Sequence, residues 1–409
     1  MENPKLALIP SGYKSGKVYS ILPNDATSDF DYERNGNASR VRKDGLIEEL
    51  TVDDTPRLDW LNSNCPSLLL EPQRTNLQVY SEQFDNATWS KSNSTIEANS
   101  IISPNGELTA DKLIANTVTT SHFIQDTFSG LSTSSEATFS IFVKKAEISQ
   151  LQLLCSQNTS PFTNWARLNF DLDTLSDFGT TIGTFGYEDY GNGWIRVFVT
   201  GTPTSTSALI RITLYKNFSS SFTGNNIDGL YLFGAQVEQG KYATSYIKTE
   251  ASTVTRLKDE CLNGGDSDLF DITEGSWFLD LVPYEISSSR EITIHDGTNS
   301  NRLLLQFQSN NTQVRLVVVS GGSIGVSLYE PITINTRNKI LVTFKENEFK
   351  VYINGTLEGT DTSGNIPTGL DTFNFSNVSG SNNFEGKLYD TRVYDRVLTN
   401  AEAIELTTL

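Results

Sequence analysis

Apolar and polar positions alternate over much of this chain. In NKILVTFKENEFKVYINGTLEGT, Ile340, Val342 and Phe344 fall on one face, and Phe349, Val351 and Ile353 follow on one face in turn. A period of two buries one side of an extended segment, so these residues predict two half-buried strands. Asn354-Gly355 supplies the positive backbone angles of a tight hairpin turn. The same alternation runs through Ala137 to Val143, Trp194 to Val199 and Ala208 to Leu214. It returns at Trp277 to Val282, Arg302 to Phe307 and Val314 to Val319. Runs rich in Ser, Thr and Gly, such as Gly201 to Ser207 and Ser219 to Asn226, separate the strands. Short strands at this spacing predict β-sandwiches or jelly rolls rather than βαβ units. Helix is expected only as a short turn at Leu108 to Ile114 and as one helix ending the chain. There Thr399 and Glu402 have capping-box spacing.

The pattern divides the chain in three. Residues 1–64 are polar and irregular, broken by Pro10, Pro23 and Pro56. They are too poor in apolar residues to build a core. They nevertheless carry Tyr13, Tyr19, Phe30, Tyr32 and Trp60, so the segment is expected to gain its order by packing on something else, as an attachment segment. The run Ser67 to Leu70 opens a strand-rich second segment, residues 65–256. An acidic, Gly-containing joint, Leu257 to Asp268, leads into a third, residues 257–409. The expected fold class is all-β: two tandem β-sandwich (jelly-roll) domains behind an irregular N-terminal anchoring segment.

Composition narrows the partners. Among 409 residues, 29 are Gly, one is Met and 37% are hydrophobic, which suits a turn-rich β protein. A formal net charge of −18 argues against nucleic acid, whose phosphates need a local excess of Lys and Arg. The one basic cluster, Arg34 to Lys43, is interrupted by Gly, Asn and Ser and reads as a solvated or protein-contacting segment. No stretch approaches the ~18 apolar residues of a membrane span. The four-residue apolar run near the N-terminus is too short for a signal-peptide core, so assembly in a bacterial cytoplasm is expected. Cys65, Cys155 and Cys261 lack metal-ligand spacing and read as buried free thiols.

The blocks from residue 338 to FEGKLYDTRVYDRVLTNAEAIEL resemble the C-terminal half of a laminin-G or concanavalin-A-like jelly roll. The stretch Tyr389-Asp390-Thr391-Arg392-Val393-Tyr394 has one acid where that family usually has Asp-Glu. This resemblance implies a binding surface and no catalytic apparatus. A second resemblance covers residues 5–256. LALIPSGYKSGKVYSILP, RNGNASRVRKDGLIE, PRLDW and CPSLLLEPQRTNL occur in that order in bacteriophage virion proteins of the tail-fibre and head-fibre type. SEQFDNATWSK, PNGELTADKLI, FSIFVKKAE, YGNGWIRV, DGLYLFGAQVEQG and YATSYIKTEASTVTR are similar to their jelly-roll module. It implies a virion protein that docks on other virion proteins through its N-terminus, is commonly trimeric, and projects β-domains outward.

Few residues suggest catalysis. Gly12 to Lys17 has three residues between its glycines, and Val18 stands where a phosphate loop has Ser or Thr, so it reads as a turn. Triads form in space, so His122 and His295 stay formal candidates. Glu188 with Asp189 and Asp171 with Asp173 are the acid pairs to weigh for glycoside cleavage; adjacent acids in turns are usually solvated, and no enzyme is expected. No cofactor is expected either. Calcium is the one ion the pattern admits, through Asp171, Asp173, Asp266 to Asp271 or Asp296. Sugar binding fits best, because flat aromatic rings stack on pyranose faces while polar neighbours bond the hydroxyls. Trp165, Tyr187 and Tyr190 lie in polar, Gly/Asn-rich surroundings and are the candidates. Trp89, Trp194 and Trp277 read as core. The expected function is a virion surface protein adhering to host-surface polysaccharide, with a purely architectural capsid or tail component as the alternative.

Overall fold

The computed structural model describes residues 3–158 and 163–409. The chain is all-β apart from two short helices, Ser267–Phe270 and Asn400–Thr407. It divides into two compact units, and neither follows the expected boundaries. One comprises Met1–Asn37, Leu50–Gln73 and Leu257–Leu409; the other comprises Ala38–Glu49 and Arg74–Arg256.

The first unit is a sandwich of an eight-stranded and a five-stranded sheet. In the larger sheet the order is Thr356–Asp361, Glu348–Ile353, Asn338–Lys345, Glu274–Pro283, Gly386–Tyr394, Ser67–Leu70 and Leu58–Asp59, with Leu6–Leu8 also paired to Gly386–Tyr394. Ile340, Val342 and Phe344 pair with Ile353, Val351 and Phe349, and all six enter one core, as their alternation requires. Asn354 and Gly355 have φ of 50° and 85°, the two left-handed positions of a type I′ turn. The smaller sheet runs Ser323–Pro331, Gln313–Ser320, Arg302–Phe307, Arg290–His295 and Thr372–Asn374. It supplies Ile292, Ile294, Leu303, Leu305, Phe307, Val314, Leu316 and Val318 to that core.

The N-terminal residues belong to this same interior. Leu6, Leu8, Val18, Phe30, Tyr32, Leu58, Leu68 and Leu70 are buried with the strands of residues 274–394. The expectation that residues 1–64 stand apart is therefore corrected. They do lack a core of their own, and the core they join is that of the C-terminal sandwich. The expected joint at Leu257 to Asp268 is corrected as well. Its Glu260–Leu262 strand pairs with Phe30–Glu33, and Asp259 is the buried counter-ion of Arg57 and Arg34. Gly12 to Lys17 is the expected turn, with Tyr13 paired to Val18.

The second unit packs two six-stranded sheets face to face. One runs Ser90–Ser92, Phe123–Ser129, Ser207–Tyr215, Gln150–Gln157, Asn164–Asp171 and Ser176–Asp177. The other runs Ser94–Ile102, Leu108–Ala115, Gly229–Gln239, Ala137–Lys145, Trp194–Gly201 and Thr184–Asp189. Phe139, Ile141 and Val143 from one sheet meet Leu151, Leu153, Ile210 and Ile212 from the other. The helical turn expected at Leu108 to Ile114 is instead strand Leu108–Ala115, paired on both edges. Partners on either side satisfy its backbone, and this overrides a weak local helical preference.

Candidate functional site

Both faces of the eight-stranded sheet carry cover. Its second face holds Phe278, Leu341, Tyr352 and Tyr394, which pack under Leu398 and Ala403 of the C-terminal segment. Among the described residues the five-stranded sheet has no such helix, and its outer side chains line up in three cross-strand rows. Tyr329, Arg315, Gln306 and Glu291 form the first row. Ser327, Val317, Leu304, Thr293 and Asn374 form the second. Ile324, Val319, Arg302, His295 and Thr372 form the third.

Leu304, Val317 and Val319 form a small apolar cluster on this side of the sheet, and all three are buried. Tyr329 (48% exposed) and Ile324 (60% exposed) stand beside it. The Arg315 guanidinium lies 5.0 Å from the centre of the Tyr329 ring, and its Nε donates to Ser327 Oγ at 3.0 Å. The guanidinium thus rests over one face of a partly exposed ring. At the other end Gln308 Nε2 donates to Gln306 Oε1 (2.8 Å), and Gln306 Nε2 donates to Glu291 Oε1 (3.2 Å). An exposed ring, a guanidinium and a short amide–carboxylate chain on one side of a sheet offer one apolar contact and several polar partners to a hydroxylated ligand. The sequence alternation holds all these residues. It does not say which of them stay at the surface.

The residues expected to stack on sugar lie elsewhere, in the second unit, and are not brought together. Trp165 is only 4% exposed and sits in the core. It is the extra residue of a bulge, because Cys155 faces Ala166 while Ser156 faces Asn164. Both Trp165 and Ala166 therefore turn inward. Tyr190 is buried edge-on against Phe142, with centroids 4.8 Å apart. Of the three, only Tyr187, on edge strand Thr184–Asp189, reaches solvent. Trp89, Trp194 and Trp277 are buried as expected.

Among the residues expected to anchor the chain, Phe30 and Tyr32 are fully buried within the first unit, which corrects their placement on an outer contact. Tyr32 Oη donates to Asp259 Oδ1 at 2.5 Å. Burial and the Asp259 charge push this phenol well above its usual range. Tyr13 and Trp60 are half-buried against the core, and Tyr19 is the most exposed of the five.

Neither histidine is placed for nucleophilic catalysis. His122 is buried with Nδ1 2.6 Å from Asn93 O and Nε2 3.0 Å from Phe222 O. His295 accepts from Gly297 N at 2.9 Å and lies 2.9 Å from the Asn374 amide. Burial lowers its pKa. The acid pairs are occupied structurally. Glu188 lies near Arg196, Asp189 caps Gly191 N, Asp171 accepts from Gln150, and Asp173 pairs with Lys145. Asp266 caps the Ser267–Phe270 helix, and Asp296 bonds Thr298 and Asn301. Among the described residues no three His, Cys, Asp or Glu side chains cluster to hold a metal ion. Cys155 and Cys261 are buried free thiols, and burial pushes both upward. Cys65 is exposed, contrary to expectation.

Residues 281–403 match the model of the concanavalin A-like lectin/glucanases superfamily. That stretch contains all five strands of the five-stranded sheet. Similar solved structures include the sialidase CBM40 module of Ruminococcus gnavus bound to α2,3-sialyllactose: 17% identity, 36% of this chain, 93% of that one, TM-score 0.31. Domain 4 of the arabinanase AbnA from Geobacillus stearothermophilus, in complex with arabinotriose, is 17% identical over 41% of this chain and 84% of that one, with a TM-score of 0.32. The CBM66 module of Bacillus subtilis is 12% identical over 34% and 79%, with a TM-score of 0.22. No curated protein matches the chain.

Proposed function

We propose that this protein is a non-enzymatic virion surface component, of fibre or decoration type, that adheres to host-surface polysaccharide. The observation that carries the adhesion is the exposed Tyr329 ring with the Arg315 guanidinium against it on the five-stranded sheet, inside the segment that matches the lectin superfamily. The ordered motifs of residues 5–256 support the virion assignment. Attachment to other virion proteins would use the exposed part of the N-terminal region, where Tyr19 and Ile21 face solvent. A homotrimer would place several weak sites on one particle, and linkage turns weak sites into avid ones through effective concentration.

The test uses the full chain on an array of bacterial surface polysaccharides. Binding to at least one glycan is expected, with a loss of about tenfold or more for Tyr329→Ala and for Arg315→Ala, because each removes either a stacking face or a charged hydrogen-bond donor. Silence on every glycan would leave the architectural reading in its place. Retention of binding by both variants would move the site off this face.

A further inference from the structure

In the second unit, the sheet containing Phe123–Ser129, Ser207–Tyr215, Gln150–Gln157 and Asn164–Asp171 also has an outer face. Its rows follow from the register. Gln125, Arg211, Leu154 and Arg167 form one row, and Phe123, Thr213, Gln152 and Asn169 form the next. Tyr215, Gln150 and Asp171 form a third.

The two arginines of the first row differ from most others in this acidic chain. Arg40, Arg57, Arg196, Arg290, Arg337, Arg392 and Arg396 all lie within ion-pair distance of a carboxylate. Arg211 instead gives Nε and Nη2 to the neutral Gln125 Oε1, at 2.9 and 2.7 Å. Its guanidinium stacks 4.2 Å from the Phe123 ring centre. Arg167 gives only Nε, to Thr180 O at 3.1 Å. Among the described residues neither guanidinium has a carboxylate partner. Burial lowers the pKa of Arg211, with no acid near enough to raise it. Neither cation is committed to a carboxylate of the described residues, so both can give charged hydrogen bonds to an external anion. They stand two strand spacings apart, roughly 9–10 Å.

The rest of the face is built for hydroxylated rings. Gln152 Nε2 donates to Asn169 Oδ1 (2.7 Å) and to Tyr215 Oη (3.1 Å). Gln152 Oε1 and Asn169 Nδ2 remain without a partner among the described residues. Phe178 lies edge-on to Tyr215 and to Phe218, with centroids 5.5 and 5.3 Å apart. Phe218 is 66% exposed and has φ of 62°. Asn217 and Phe218 are the two central residues of a hairpin turn closed by Lys216 and Ser219, which sets that angle and leaves the Phe218 ring largely in solvent.

We propose that this face is a second binding site, for an acidic polysaccharide. Sugar carboxylates would meet Arg211 and Arg167, ring faces would lie on Phe218 and Phe178, and hydroxyls would bond Gln152 and Asn169. The Tyr329 face offers one ring and one guanidinium, whereas this one offers amides and two guanidiniums. Success at either face does not require the other.

The test measures binding of the full chain to an alginate oligosaccharide, to neutral dextran and to a single-stranded oligonucleotide of matched charge. Expected is binding of the alginate well above both others, weakened by salt. The double variant Arg211→Gln/Arg167→Gln should lose at least about tenfold, since each charged hydrogen bond is worth at least that much. Arg211→Lys, which keeps the charge but not the planar fork, should lose less. The variant Tyr329→Ala should bind alginate as the parent does. Unchanged Tm values for the arginine variants exclude unfolding as the cause. The proposal is overturned if alginate does not bind, if the double variant binds it undiminished, or if the oligonucleotide binds equally well.

Discussion

At the residue scale, the buried charges show how chemistry is used for building. Arg57 bonds Glu71 at 2.6 Å and pairs with Asp259. Both acids hold its guanidinium well above the usual range despite burial. Such a network stabilises only while complete, because removing one member strands a buried charge. In the second unit, Asp111 accepts from Phe84 N and Asn99 N, both at 2.9 Å. Burial outweighs those two bonds and pushes its carboxyl up from 3.8 to about 6. The folded form therefore binds more protons than the unfolded chain between about pH 4 and pH 6. Stability from this group is present below pH 4 and is lost as pH rises through 6. Urea titrations across pH 4–7 should show that slope in the parent, and Asp111→Asn should flatten it. Parallel profiles for the two proteins would refute the assignment.

At the element scale, the terminal helix covers the second side of the eight-stranded sheet. Thr399 Oγ1 accepts from Glu402 N while the Glu402 carboxylate accepts from Thr399 N, the reciprocal capping box that the spacing predicts. Arg396 and Thr399 hold the Glu402 carboxyl down to about 2. With its start pinned, Asn400–Thr407 places Ala403 and Leu406 over Tyr352 and Leu341. Thr399→Ala should cost about 1 kcal/mol, read as a lower midpoint in chemical denaturation. Glycan binding on the opposite, five-stranded sheet should be unaffected. The elements most legible in the sequence were of this local kind: Ile340 to Ile353, the Asn354-Gly355 turn and the Thr399 cap each rest on neighbours a few residues away. Trp165 was misplaced because a bulge shifts the period by one, and no local signal marks it. Tyr190 was misplaced because its polar neighbours in sequence are not its neighbours in space.

At the scale of the whole molecule, the joining of the two chain ends matters most. Leu6, Leu8, Val18, Phe30, Leu58, Leu68 and Leu70 are buried in the C-terminal sandwich. Each such side chain contributes roughly 1.5–3 kcal/mol. Together they reach about 10–20 kcal/mol, as large as the ~5–15 kcal/mol net stability of a whole domain. The fragment 257–409 should therefore not form a native sandwich by itself. Near-UV circular dichroism and proteolysis should show a loosened state, and the full chain should resist protease. A protease-resistant, cooperatively melting fragment would contradict this account.

The sequence by itself determined that the chain is all-β, where its clearest strands run, how one hairpin turns and how the last helix begins. Each of these is set by side chains within a few positions of one another. Only the tertiary structure decided that residues 1–64 complete the C-terminal sandwich, that Leu257 to Asp268 is interior rather than linker, and that Tyr329 and Arg211 stand on the outer sides of their sheets. Alternation states that a strand has an apolar side and a polar side. It does not state which strand lies beside it or what covers the other side, since those depend on pairings between residues hundreds of positions apart.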